Sequence, residues 1–478
     1  MNQSFSNSTG MKNYNQEDII VGLDIGTTKI CVLVGRKNEH NKFEILGIGK
    51  ANSTGVSRGM VSNVNQTVEA IIQATQQAEQ NSGIAIDKVF VGIAGQHIKS
   101  MHHRHAITIG NTDEVISQKD LQRMFNDVHR LKMQPGERII HALPQEFTVD
   151  GEMGNNQPIG MFGHRLEANF HIITGQISAA QNIERCIHQA GLKMSGMVLE
   201  PIASSASVLS VEDKEAGVCL VDIGGGTTDV AIFYDGIIRH TAVIPFGGNV
   251  ITDDIKEGCR IMKSQAEALK CQRGSALAIM QRENHVVALP GVKGLPAREI
   301  SLKNLAGIIQ ARVEEIIDLV YFQIKTSGYQ KKLVGGIVLT GGGSNLKDIK
   351  HLVEVRTGLD VRIGLPIEHL ANARESAIKN PMYATGIGLI MTGHEAILMQ
   401  RQEDEMMQRE TNKIVEEPKI EQVEIQVEQI QPVEPIAPVE QPKQRPTDQG
   451  WYNKFFGNIP MRVEKFLLEG NDVKKFED

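Results

Sequence analysis

Two stretches of this chain repeat one another. "VGLDIGTTKICVLV" (21–34) and "LVDIGGGTTDVAIF" (220–233) each run from an apolar strand through Asp and Gly to two threonines and into a second apolar strand. Asp24 matches Asp222, 198 residues on, and Thr27-Thr28 match Thr227-Thr228, 200 residues on, the second turn being two glycines longer. Such a repeat marks a chain built twice from one unit. Glycine between two strands opens a turn whose backbone N–H groups can converge on a phosphate with no side chain in the way. Threonine hydroxyls add donors, and an Asp at a strand end can hold Mg2+ through the waters that ion prefers to keep. Either stretch alone also reads as a plain hairpin turn. The matched pair favours two hairpins gripping one polyphosphate from both sides of a cleft.

A third glycine loop follows. "GGIVLTGGGSNLKDIKHL" (335–352) reads as strand, loop and helix, with Gly341, Gly342 and Gly343 leaving room for a flat base or ribose near a helix N-terminus. No GxxxxGK[ST] loop occurs. Between these points, from about Glu17 to Gly393, strand-like apolar runs alternate with helical patterns, which argues an α/β chain. Helices are predicted over Val64–Gln80 with Gly83 as the stop, Ser178–Ala190 closed by Gly191, and Leu302–Lys325 on its apolar stripe. Residues 100–175 differ: polar, Gly-rich stretches surround "SQKDLQRMFNDVHRLK", whose Ser117 and Asp120 suit a helix start. "MHHRH" (His102, His103, His105) has no Cys or HExxH beside it and reads as a solvated loop rather than a metal site.

Bulk composition removes several classes. The 478 residues suffice for two or more cores. No apolar run approaches the ~20 residues of a membrane helix, and the polar N-terminus lacks a signal core. The five cysteines are scattered and never form CxxC, which disfavours disulfides and zinc and fits a reducing compartment. Of the net charge of −7, residues 402–449 account for all, with 12 acids and 5 bases; the rest is balanced, giving no support for nucleic-acid binding.

The C-terminal sixth is of another kind. "EEPKIEQVEIQVEQIQPVEPIAPVEQPKQRPTDQ" has six prolines, no glycine and no aromatic, and reads as an extended acidic linker. Aromatics then return. Trp451, Tyr452, Phe455, Phe456 and Phe466 fall in a segment where Trp451, Phe455, Ile459, Val463 and Phe466 or Leu467 share a helical face flanked by Lys454, Arg462 and Lys465. Rings with flanking bases suit an anionic bilayer surface. A helix docking on a protein is the other reading. Pro460 should kink or split the segment.

The motifs together, with "RHTAVIPFGGNVITDDI" and "AEALK", give a chain that over roughly 17–395 resembles the ATPase superfamily of actin, the heat-shock chaperones and the sugar kinases. Within it, the chain resembles the FtsA family of bacterial cell-division proteins. The resemblance implies an actin-like α/β fold of two duplicated lobes around a nucleotide cleft. The first lobe (1A) would be 17–99 and 176–211, with 100–175 as an inserted subdomain (1C). The second (2A) would be 212–255 and 331–395, with 256–330 as 2B. Outside these lie a disordered N-terminus (1–16), the linker (396–449), an amphipathic membrane helix (450–469) and a tail (470–478).

The resemblance also implies ATP and Mg2+. Asp24, Gly26, Thr27 and Thr28 would form the first phosphate loop, and Asp222, Gly224, Gly225, Gly226, Thr227 and Thr228 the second. Asp24 and Asp222 would hold Mg2+ through water. Gly341, Gly342 and Gly343 would touch the adenosine, and Glu267 and Lys270 the ribose and base, where an ordinary ion pair on a helix is the alternative. Glu200, in "LEPIASSASVL", stands where relatives polarise the attacking water, although a Glu there also caps the next helix and many FtsA proteins lack the acid. "PMYATGIGLI" (381–390) would be the second hinge helix. Turnover would be slow at most. Implied partners are the FtsZ C-terminal peptide on 256–330, further copies in filaments, anionic lipids and later division proteins, at the cytoplasmic face of the membrane at the septum. A pilus-assembly scaffold, a small-molecule kinase and a chaperone share the same ATPase core.

Overall fold

The computed structural model describes residues 18–110, 115–155, 157–282, 285–291, 296–371 and 378–415. The rest of the linker and the segment 450–469, with Trp451, Tyr452, Phe455, Phe456, Ile459, Val463, Phe466 and Leu467, lie outside the described residues.

The duplication read from the hairpins extends to two whole sheets. In the first lobe β1 (Ile20–Ile25), β2 (Lys29–Lys37) and β3 (Phe43–Asn52) form an antiparallel meander. The small hairpin β4 (Val56–Ser57) and β5 (Met60–Val61) follows, then α1 (Val64–Ser82) and β6 (Lys88–Ile93), which runs parallel to β1. The chain leaves for the inserted subdomain, made of β7 (Lys99–Thr108), α2 (Gln118–His129), β8 (Glu137–Val149), β9 (Glu152–Asn155) and β10 (Arg165–Gln176). It returns through α3 (Ile177–Gln189) to β11 (Lys193–Leu199), parallel to β6, which completes the order β11-β6-β1-β2-β3.

Helices α4 (Glu200–Val208) and α5 (Val211–Ala216) lead to the second lobe. There β12 (Val218–Ile223), β13 (Thr228–Tyr234) and β14 (Ile237–Ile244) repeat the meander. Next come α6 (Gly248–Cys259), α7 (Lys263–Arg273), the hairpin β15 (Val286–Leu289) and β16 (Arg298–Ser301), and α8 (Leu302–Thr326). The sheet is finished by β17 (Ile337–Thr340), α9 (Ile349–Thr357) and β18 (Val361–Ile363) in the order β18-β17-β12-β13-β14, the same arrangement as the first. Finally α10 (Ala384–Val415) packs back on α4 and β1. It continues through residue 396, where the sequence reading begins the linker.

Local chemistry explains these elements. All six residues of β1 and of β12 are buried, as expected of central strands covered on both faces. The Asn63 side chain accepts from the Gln66 N–H to start α1, and Gly83, at φ 71°, ends it. On α8 the stripe Leu305, Ile309, Val313, Ile317, Val320 and Ile324 is buried in the core of the second lobe. Ser117 and Asp120 close a capping box on α2.

The inserted subdomain has more structure than its polar sequence suggests. Its sheet, β7-β10-β8-β9, and α2 enclose a core containing Leu121, Met124, Phe125 and Phe170, the two rings meeting edge to face at 5.5 Å. His102, His103 and His105 lie on strand β7, not on a loop. An edge strand with few buried positions carries no apolar alternation, so period-2 reading passes over it.

Candidate functional site

The two hairpin turns face one another across a cleft of about 1040 Å³ between the lobes. Asp24 and Asp222 are the second-last residues of β1 and β12, next to their turns. The turns touch. A Cβ on Gly225 would collide with Thr28 Oγ1, and one on Gly226 would stand 3.0 Å from Arg58 Cα. Glycine is required there because the opposite lobe occupies the space a side chain would fill. The Gly59 N–H donates to Thr27 Oγ1 at 3.2 Å, tying the β4–β5 hairpin to the first turn. Behind the second turn, the Gly248 and Asn249 N–H groups at the start of α6 donate to the Gly224 and Gly225 carbonyls.

Asp24, Gly26, Thr27, Thr28, Glu200, Asp222, Gly224, Gly225, Gly226, Thr227, Glu267, Lys270, Gly341, Gly342 and Gly343 all line this cleft. Thr228 does not. Strand alternation turns it inward, where it is fully buried and its hydroxyl donates to the Phe246 carbonyl at 2.8 Å. Gly341 has φ 80°, and a Cβ there would strike the Asp222 carboxylate, whereas Gly342 has nothing within 4 Å of its Cβ position. Lys270 Nζ donates to the Gly248 carbonyl and Thr252 Oγ1, both at 2.8 Å, and to Glu267 Oε2 at 2.7 Å. Thr252 also donates to Glu267. Burial alone would raise the Glu267 pKa, but hydrogen bonds from Lys270 and Thr252 and the lysine's charge hold it below the usual value. The pair is therefore a buttress between α7 and α6 as well as part of the cleft wall.

Two charged residues escaped the sequence reading. Lys29 and Asp229 occupy the same position in the repeat, just after the paired threonines, with opposite charge. Lys29 Nζ lies 3.0 Å from Asp24 Oδ2. Burial works against its charge, yet the Asp24 carboxylate more than offsets this and keeps the ammonium protonated. Asp229 pairs across the strands with Asp222 and is 3% exposed. Its Oδ2 accepts from Thr227 Oγ1 at 3.1 Å, while its Oδ1 is buried with no hydrogen-bond partner among the described residues. The signal was present: two polar residues at one repeat position, both turned to the cleft by the same strand geometry.

The carboxylates of Asp24, Glu200, Asp222 and Asp229 thus crowd one end of the cleft, where Lys29 pairs with Asp24. Burial, and then repulsion from Asp222, push the Asp229 pKa up to about 8. Glu200, the first residue of α4, is raised well above the ordinary range by burial and then by Asp24, Asp229 and Asp222. Asp222 is raised by burial and partly offset by hydroxyls: Ser204 Oγ of α4 at 2.6 Å and Thr385 Oγ1 of α10 at 3.3 Å both donate to its Oδ2. Asp222 of the second lobe is therefore held by both helices that join the lobes. The arrangement offers a positive guest a set of hard oxygen donors, and an anionic guest glycine turns and the Lys29 ammonium.

Residues 219–388 match the profile of a family described as cell division protein FtsA, and residues 95–174 that of an SHS2 domain inserted in FtsA. The chain is 39% identical to the cell division protein FtsA of Pseudomonas aeruginosa over 388 residues, 81% of this chain and 91% of that one. It is 33% identical to FtsA of Escherichia coli K12 over 387 residues, 80% of this chain and 91% of that one. Among solved structures, the PilM-PilN type IV pilus biogenesis complex superposes with a TM-score of 0.58 at 15% identity, over 78% of this chain and 98% of that one. At that identity the likeness is one of fold, and the fold is actin-like.

Proposed function

Because this chain belongs to the FtsA family of bacterial cell-division proteins, we propose that it binds Mg-ATP in the cleft, polymerises, and ties the FtsZ ring to the cytoplasmic membrane at the septum. The observation that carries the reading is the meeting of two duplicated glycine hairpins with Asp24, Glu200, Asp222, Asp229 and Lys29 at a single cleft. In this reading Lys29 and the N–H groups of both turns face the phosphates, and Gly341–Gly343 with Glu267 and Lys270 face the adenosine. The donor set suits Mg2+. Asp24, Asp222 and Asp229 are hard oxygen donors whose mutual repulsion a divalent ion would relieve. Among the described residues no three His, Cys, Asp or Glu side chains converge on one metal-sized point. The carboxylates would therefore hold the ion through its waters.

Glu200 is the base in this proposal. Glu200→Gln should lower phosphate release at least tenfold with little change in ATP affinity, because a neutral amide keeps the shape but cannot take a proton. Unchanged release would assign Glu200 to capping α4.

Among the described residues no helix is long and apolar enough to cross a membrane. Attachment is assigned instead to 450–469, whose net charge is small enough that apolar insertion must dominate. A single foot of that kind is weak. Many on one filament hold by avidity across linkers spanning roughly 40 Å. Met262, Ile279, Met280 and Val286, exposed on the 256–330 part of the second lobe, suit the docking of apolar side chains from an FtsZ peptide. The test is imaging of full-length protein, residues 1–449 and Trp451→Glu with Mg-ATP and anionic vesicles. Vesicle-bound filaments are expected from the full chain only. Equal membrane binding by the truncated protein would sink the tether.

A further inference from the structure

The inserted subdomain belongs covalently to the first lobe, yet its sheet side chains reach β14, the edge strand of the second. Ser100 Oγ donates to the Thr241 carbonyl at 2.9 Å, and Gln145 Nε2 to the Ile238 carbonyl at 2.8 Å. Both carbonyls belong to the sheet edge, so the insert also covers an open edge. Arg239, 6% exposed, pairs with Glu146 Oε1 of β8 at 3.1 Å. In the middle lies His171, fully buried, with Nε2 3.0 Å from Thr241 Oγ1. Its Nδ1 has no hydrogen-bond partner among the described residues.

The surroundings of His171 cannot accommodate a proton. On β7 the group opposite it is His102, ring centroids 5.1 Å apart. On β14 the nearby titratable group is His240, whose Nε2 is 3.1 Å from the neutral Gln323 Oε1 of α8. On β8 its register partner is Leu143. The acids at this contact, Glu146 and Asp235, both lie within 4 Å of Arg239. Burial and then the two neighbouring imidazoles depress the His171 pKa to about 3, and burial also lowers His240. The whole subdomain is rich in the same side chain: residues 95–174 carry 8 of the 15 histidines.

We propose that the inserted subdomain is a strap that fastens the first lobe to β14 of the second and releases when histidines at the contact take up protons. The docked state disfavours protons on His171 and His240, while an undocked imidazole has its ordinary affinity for protons. Docking is therefore at full strength above about pH 6.5 and weakens as pH falls below it. At pH 5.5 one such histidine weakens docking about tenfold.

Hydrogen exchange on the full chain tests this, comparing pH 7.5 with 5.5 after scaling for intrinsic rates. Residues 237–244 are expected to lose about tenfold in protection at the lower pH while β1 and β12 keep theirs. His171→Gln with His240→Gln should retain protection at both pH values, since a neutral amide can still pair with Thr241. Thr241→Val should loosen β14 already at pH 7.5. Protection of 237–244 that is the same at both pH values in the wild type would overturn the strap. So would a loss shared equally by β12, or one that persists unchanged in the double glutamine variant. Should that variant not fold, an unaltered β14 in Thr241→Val at pH 7.5 would overturn the docking itself.

Discussion

Valine in place of Gly388 should destabilise the body by about 3 kcal/mol or more, the upper range for overpacking a core. Gly388 lies on α10 where that helix crosses α4, and a Cβ there would collide with the Ala203 carbonyl. The obstacle is backbone, so no rotamer change relieves it. The helices would have to separate, and with them the Ser207 hydroxyl bond to the Ala384 carbonyl, 2.7 Å long and buried. Fully buried Leu389 and Ile390 follow directly on the same helix. Urea denaturation against Gly342→Ala makes the comparison, since Gly342 has open space at its Cβ position and should change stability by less than about 0.5 kcal/mol. A mild effect at Gly388 would mean that the helices do not need this close approach.

Asp229→Asn should act in two opposite directions. The folded protein holds the Asp229 proton up to about pH 8, whereas an unfolded chain releases it near pH 4. Protonated Asp229 thus favours the folded state below about pH 4, and that contribution drains away as pH rises through about 8. The variant has no such charge to develop. It should therefore be more stable than the wild type by about 2 kcal/mol at pH 8, with the gap closing toward about pH 4. Nucleotide binding should move the other way, with Mg-dependent affinity for ATP falling about 10–100-fold if the carboxylate orients a hydrated ion. Thermal melts across pH and titration calorimetry with and without Mg2+ separate the two. Unchanged affinity would remove Asp229 from the site, and a constant stability gap across pH would contradict its raised pKa.

The parts of the site that could be read from sequence are those where backbone geometry dictates residue type. A turn pressed against a neighbouring turn or strand end admits only glycine, so Gly225, Gly226 and Gly341 are legible. Thr28 and Thr228 match in sequence, yet only Thr28 reaches the cleft, because facing is settled by where each turn hands over to its strand. Lys29 and Asp229 were passed over for the opposite reason: repeat logic looks for identity, and this pair differs in the sign of its charge. The buried α8 stripe was legible from its period. The docking of the insert on β14 was not, since it depends on Ser100, Gln145, Glu146 and His171 meeting one strand from distant positions in the chain.

Helix α10 has a mechanical consequence. It packs against β1 of the first lobe, while near its start Thr385 bonds Asp222 of the second. Its 32 residues run about 48 Å from that point. A rotation of one lobe against the other by about 10° would swing the far end by roughly 8 Å, an arc larger than one helical turn. The chain thus carries a long pointer pivoted beside its most crowded carboxylates, and whatever is fastened beyond Val415 moves on the end of it.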